Sequence, residues 1–185
     1  YTPAKMEQDI LAVADACGVE RFALWGMSYG GKVGRYLAVD SERVTRLILM
    51  GTPLGPGVVG ERRREAVDFL AYWQPIVQAQ DDGTLDTEKL TADDRHSMTQ
   101  LNMPVMVAWV EAMLDWPAVE PADLRCPTLW LVGSEDPHAM ASLQAFEASL
   151  PNSNIKLHIA DGLDHEAVFD QVDQVFPLML AFTDV

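Results

Sequence analysis

The stretch Arg21-Phe22-Ala23-Leu24-Trp25-Gly26-Met27-Ser28-Tyr29-Gly30-Gly31 decides how the chain is read. Its first five residues are a short apolar run and predict a buried strand. Residues 26–31 supply a turn, and residues 33–39 continue as small and apolar side chains that predict a helix. A serine between strand and helix, with glycine two before and two after, can occupy a tight, strained turn that projects its hydroxyl beyond the strand end. Gly26 and Gly30 let the two backbones approach, and Gly31 relieves the next position. Ser28 is therefore a candidate nucleophile. The amide of Tyr29, at the helix start, can donate to a developing oxyanion, and the helix dipole adds to it. The bare Gly-x-Ser-x-Gly pattern is common, and the flanking strand and helix are what make it informative.

Outward from this stretch, strand and helix patterns alternate. Before it, Thr2 and Pro3 suit a helix start, Met6, Ile10, Val13, Ala14 and Cys17 share one helical face, and Gly18 closes the end. After it, a second apolar run at 44–50 ends in Gly51-Thr52-Pro53. A third apolar run at 128–132 leads into Gly133-Ser134-Glu135-Asp136-Pro137 and a helix carrying Ala139, Leu143, Phe146 and Leu150. A fourth run, 155–159, is followed by a loop at 161–165 and a last helix with Val168, Val172, Val175 and Met179, which Pro177 would kink or restart. This alternation predicts an α/β fold: a mainly parallel sheet with helices on both faces. Residues 54–124 differ, with a loop rich in Gly and Pro and helical patterns at 61–80 and 98–114; Pro104 marks a start or a kink. They read as a helical insertion between two core segments, 1–53 and 125–185.

Composition excludes several classes. The chain has 185 residues, 49% of them apolar, and a formal net charge of −15. An acidic surface repels phosphate backbones, so no nucleic-acid partner is expected. Arg62-Arg63-Arg64, between Glu61 and Glu65, reads as a solvated helix face. No window is apolar enough to span a membrane and no signal-peptide pattern opens the chain, so a cytoplasmic location is expected. Cys17 and Cys126 have no metal-ligand spacing and read as small core or flanking residues, with a pairing left open.

Residues 19–39 resemble the elbow segment of the α/β-hydrolase superfamily, and within it the esterase, haloperoxidase and C–C hydrolase branches. The likeness continues through the next strand, a helical cap at 54–124, an acid loop, a histidine loop and the final helix. It implies a catalytic triad in the order serine, acid, histidine, and no metal or cofactor. Of four histidines, His96 lies in a polar stretch of the insertion, His158 on a strand, and His138 beside the acid loop. His165 follows the last strand at its carboxyl end, where open α/β sheets place ligands, and it matches the family's position. Asp136 matches the acid position after the third strand; Glu135 is its near rival. Residues 51–60 hold no Asp or Glu, which closes the family's other acid position. Asp161 and Asp164 read as helix caps or solvated groups.

The resemblance also implies strands before the elbow and a second oxyanion donor, neither of which this sequence contains; it begins at Tyr1. The elbow strand is then expected to be an open apolar edge, predicting homodimerisation through it and weak turnover. Trp73, Trp109 and Met113, with other Trp and Met residues of the insertion, read mainly as its core. Some of them, with Trp25 and Met27 beside the elbow, are candidates for lining an apolar pocket. The expected substrate is a small or medium apolar ester or related acyl compound. Two other readings stand beside it: a non-catalytic small-ligand binder, and a cofactor-free haloperoxidase or lyase using the same triad.

Overall fold

The four apolar runs become one parallel sheet. In the computed structural model, which describes residues 1–183, the strands β1 (Phe22–Met27), β2 (Val44–Met50), β3 (Thr128–Gly133) and β4 (Ile155–Ala160) lie in the order β1-β2-β3-β4. The register pairs Met27 with Met50, Met50 with Leu131, and Gly133 with Ala160. All four carboxyl ends therefore open on the same edge. The loops that leave them begin at Ser28, Gly51, Ser134 and Asp161.

Alternation along β2 separates two layers of core. Ile48 and Met50 face one side, in a buried cluster with Leu129, Leu131, Val168, Val175 and Met179. Leu47 faces the other side, where helix α2 (Tyr29–Asp40) packs so closely that a Cβ on Gly34 would lie 3.2 Å from Leu24 Cδ2. Helix α1 (Pro3–Ala16) packs against α2. β3 is buried throughout, as a central strand must be.

Several expectations need correction. The elbow strand begins at Phe22 and is only half buried: Ala23 and Trp25 are exposed, because among the described residues β1 pairs on one side only. Val13 on α1 and Cys17 just past its end are exposed, since α1 meets α2 along one stripe narrower than its apolar face. Both cysteines are free. The last helical segment breaks at Gln171 into α7 (Ala167–Asp170) and α8 (Val172–Thr183), and Pro177 sits inside α8. Buried Val175 and Met179 anchor α8 on either side of that proline, which explains why the helix continues through it.

Residues 57–117, with Tyr1 and Thr2, form a second compact unit. Its helices are α3 (Gly60–Asp81), α4 (Ala92–Gln100) and α5 (Met103–Met113). Leu70, Trp73 and Val77 of α3 and Val107, Val110 and Met113 of α5 are buried. Arg63 donates to Leu114 O at 2.8 Å and Gln74 to Glu111 at 3.2 Å. The single pattern expected at 98–114 is two helices. Asn102 ends the continuity: its side-chain oxygen accepts from Val105 N–H at 3.2 Å, and Pro104 occupies the first turn that follows. α4 begins with a reciprocal cap between Thr91 and Asp94. The sheet-bearing unit resumes at Ala118, and α6 (Pro137–Phe146) follows β3 within it.

Candidate active site

Ser28 is the only residue between the end of β1 and the start of α2. It has φ 49° and ψ −111°, and it is the one non-glycine residue with positive φ among those described. Such backbone costs on the order of 1–3 kcal/mol and persists only where the surroundings over-determine it. Ser28 N–H donates to Met50 O at 2.9 Å, and Ser28 O accepts from Lys32 N–H at 3.0 Å. A Cβ on Gly26 would lie 2.5 Å from the Gly30 and Gly31 backbone, and one on Gly31 would collide with Thr52 Oγ1. Gly30, expected to be crowded, has open space at its Cβ position, because the helix turns that side outward; the close approach is made at Gly31 instead. Tyr29 N–H opens α2, and the Tyr29 hydroxyl donates to Met6 Sδ at 2.7 Å.

Asp136 and His165 come to the same edge. His165 Nε2 lies 3.0 Å from Ser28 Oγ, and His165 Nδ1 lies 2.8 Å from Asp136 Oδ2. Asp136 caps α6: its Oδ1 accepts from the amides of His138 and Ala139, each at 3.0 Å. One carboxylate oxygen is thus committed to the helix and the other to the imidazole. The Asp136 side chain is 1% exposed and that of His165 42%. The carboxylate is dry, while the imidazole is partly open to solvent. Glu135, the rival, is exposed. The acid and histidine loops are also tied by two further hydrogen bonds: Ser134 Oγ accepts from Gly162 N–H at 2.8 Å, and Glu135 N–H donates to Leu163 O at 2.9 Å. A Cβ on Gly133 would run into Leu163 O. Asp164 caps the turn after His165's loop, accepting from Glu166 and Ala167 amides.

The loop after β2 completes the floor. A Cβ on Gly51 would lie 3.1 Å from His165 Nδ1. Thr52, fully buried, places Oγ1 at 3.2 Å from Ser28 O and 3.0 Å from Met50 O. Trp130 Nε1 donates to Thr52 O at 2.8 Å. Arg35 is fully buried and donates to Pro53 O at 2.7 Å, and its burial lowers the guanidinium pKa. In the sequence Gly51-Thr52-Pro53 shows only as the end of an apolar run, in a stretch without Asp or Glu.

The remaining candidates take no part in the two hydrogen bonds that join Ser28, His165 and Asp136. Trp25 is exposed and stacks on Phe169 with ring centroids 6.2 Å apart, and Met27 packs against the sheet's core cluster. Both serve the packing of that sheet face. Trp73 packs edge-on to Tyr72 at 5.5 Å, Trp109 is half-buried and Met113 buried, all within the helical unit. His96 is exposed on α4, and His158 lies on β4. Among the described residues no cluster of His, Cys, Asp and Glu is placed to hold a metal, and no helix is long and apolar enough to cross a membrane.

Comparison with known proteins agrees with this fold. The sequence profile of the alpha/beta hydrolase fold matches residues 1–171. Curated protein sequences yield no match. Among solved structures, a carboxylesterase from Nitrososphaera gargenis is similar over 100% of this chain and 72% of its own, with 19% identity and a TM-score of 0.71. An esterase from Exiguobacterium antarcticum matches over 100% and 75%, with 15% identity and a TM-score of 0.70. A meta-cleavage product hydrolase from Pseudomonas fluorescens matches over 100% and 72%, with 20% identity and a TM-score of 0.61.

Proposed function

The chain belongs to the alpha/beta hydrolase fold family, and from that premise we propose that it is a serine hydrolase of small or medium apolar esters. One observation carries the reading. The continuous line Ser28 Oγ, His165 Nε2, His165 Nδ1, Asp136 Oδ2, with gaps of 3.0 and 2.8 Å, starts from a strained serine at a helix N-terminus. A serine hydroxyl is a weak nucleophile until a base takes its proton in the attacking step. His165 Nε2 takes that proton as Ser28 Oγ bonds to the ester carbonyl carbon. Asp136 holds His165 Nδ1–H and stabilises the imidazolium that forms. The negative charge on the former carbonyl oxygen meets Tyr29 N–H. The imidazolium then protonates the leaving alkoxide, and water repeats the sequence to release the acid. The net charge of −15 favours neutral over anionic substrates, and the names of two structural neighbours point to esters.

A fluorophosphonate probe with peptide mapping tests this. Ser28 is expected to carry the label, with Ser28→Ala unlabelled and His165→Ala slowed by about a thousandfold or more. An unlabelled wild-type chain, or labelling at another residue, would end the serine-hydrolase reading. Equal turnover of p-nitrophenyl butyrate and a long anionic ester would end the substrate assignment alone.

A further inference from the structure

Thr52 is fully buried directly beneath the nucleophile, and nothing in the triad's chemistry uses its hydroxyl. We infer that Thr52 is a positioning residue for the oxyanion donor, acting through the peptide between Ser28 and Tyr29. The inference rests on the serine-hydrolase reading. A peptide unit is planar and trans, so its C=O and N–H point in opposite directions. Ser28 O and Tyr29 N–H belong to one such unit. Whatever fixes Ser28 O therefore aims Tyr29 N–H. Ser28 O accepts from Lys32 N–H at 3.0 Å along the helix, and Thr52 Oγ1 approaches it from another element at 3.2 Å. A donor on the carbonyl also polarises the amide and strengthens its N–H as a donor.

The same hydroxyl lies 3.0 Å from Met50 O, the group that accepts Ser28 N–H at 2.9 Å. One proton shared between Met50 O and Ser28 O ties both sides of the strained serine to one side chain. That side chain is itself held. Gly31 leaves no room for it to swing toward α2, and Trp130 Nε1 fixes the Thr52 carbonyl at 2.8 Å. Arg35 pins the next carbonyl, that of Pro53, at 2.7 Å. A loop secured at two consecutive residues, under a serine at φ 49°, resists relaxation of the turn when charge develops above it.

The test is the kinetics of fluorophosphonate labelling by the full chain. In that reaction Ser28 Oγ bonds to phosphorus, fluoride leaves, and His165 takes the proton. Thr52→Val keeps volume and removes the hydroxyl. It is expected to lower the limiting labelling rate by about tenfold, the worth of one neutral hydrogen bond, while the probe concentration for half-maximal rate stays within about twofold. Thr52→Ser is expected to restore the rate to within about threefold. Should Thr52→Val not fold by circular dichroism, Thr52→Ala against Thr52→Ser makes the same comparison between two smaller side chains. Wild-type chain that takes no label overturns the hydrolase reading and this one with it. A labelled wild type with an unchanged rate in Thr52→Val, or no recovery in Thr52→Ser, overturns the role of Thr52 alone.

Discussion

The sheet-bearing unit and the helical unit spend their glycines differently. Gly26, Gly31, Gly51 and Gly133 of the sheet-bearing unit each sit where a Cβ would meet a neighbour at or under 3.1 Å: the elbow backbone, Thr52, the His165 ring and Leu163 O. In the helical unit Gly57 is crowded as well, a Cβ there lying 2.8 Å from Met113 O, but Gly60 and Gly83 have positive φ, 57° and 69°, and open space around them. One set brings loops together; the other starts and stops helices. Packing between distant loops fixes how Ser28, His165 and Asp136 meet, whereas Gly60 and Gly83 only close local turns. Substitutions of the same kind should therefore have different consequences in the two units.

Carboxylates give the widest separation. Asp136 and Asp94 are both nearly inaccessible, and both accept at a helix start. Asp136→Asn is expected to lower ester turnover by about ten-thousandfold with the fold retained, because an amide can force the wrong imidazole tautomer. Asp94→Asn is expected to leave the rate per folded molecule unchanged. Steady-state kinetics with active-site titration distinguish the two. A comparable loss in both would erase the contrast drawn here.

Glycine substitutions separate the units by less. Gly31→Ala forces a Cβ into Thr52 Oγ1, with Gly26 O 2.9 Å away, and overpacking of this kind costs about 1–3 kcal/mol. It should also slow labelling of Ser28, since Thr52 must move. Gly83→Ala meets no neighbour and carries only the left-handed backbone cost, about 1 kcal/mol. Thermal unfolding and labelling rate, measured together, check both: a Gly83→Ala chain with slowed labelling would contradict the assignment.

The same contrast explains what was legible in the sequence. That Ser28, Asp136 and His165 meet at one sheet edge was legible because each stands just past an apolar run. The crowded glycine at Gly31 and the buried hydroxyl of Thr52 were not. Thr52 meets Ser28 across 24 residues, and no local pattern records that approach. Gly30 drew attention by its place in the motif, yet its Cβ position is empty. Burial on β1 was over-read because an apolar run does not reveal how many neighbours its strand will have. In the helical unit the 98–114 pattern hid a break: Asn102 and Pro104 together restart a helix, and periodicity alone does not distinguish a restart from a kink.

The smallest expected effects concern pH, and they have opposite signs in the two units. Glu7 on α1 is buried. Burial is the larger cause and the neighbouring Asp40 the next; both raise its pKa above the ordinary 4.5. Among the described residues Glu7 Oε1 accepts no hydrogen bond. A carboxyl with a raised folded pKa contributes fully below 4.5, and that contribution is lost as pH rises through the folded value. Asp94 is the reverse. Hydrogen bonds from Thr91 first and Tyr72 second hold its pKa below the ordinary 3.8. Its contribution is present above 3.8 and is lost as pH falls through the lower folded value. Glu7→Gln should therefore stabilise the sheet-bearing unit at neutral pH, because it removes a charge that burial and Asp40 disfavour. The gain should shrink toward acid pH. Asp94→Asn should destabilise the helical unit at neutral pH and converge with wild type in acid. Hydrogen exchange of α1 and α4 amides across this range resolves the two units separately. Shifts of the same sign in both would mean that Glu7 is ionised and partnered in the folded chain.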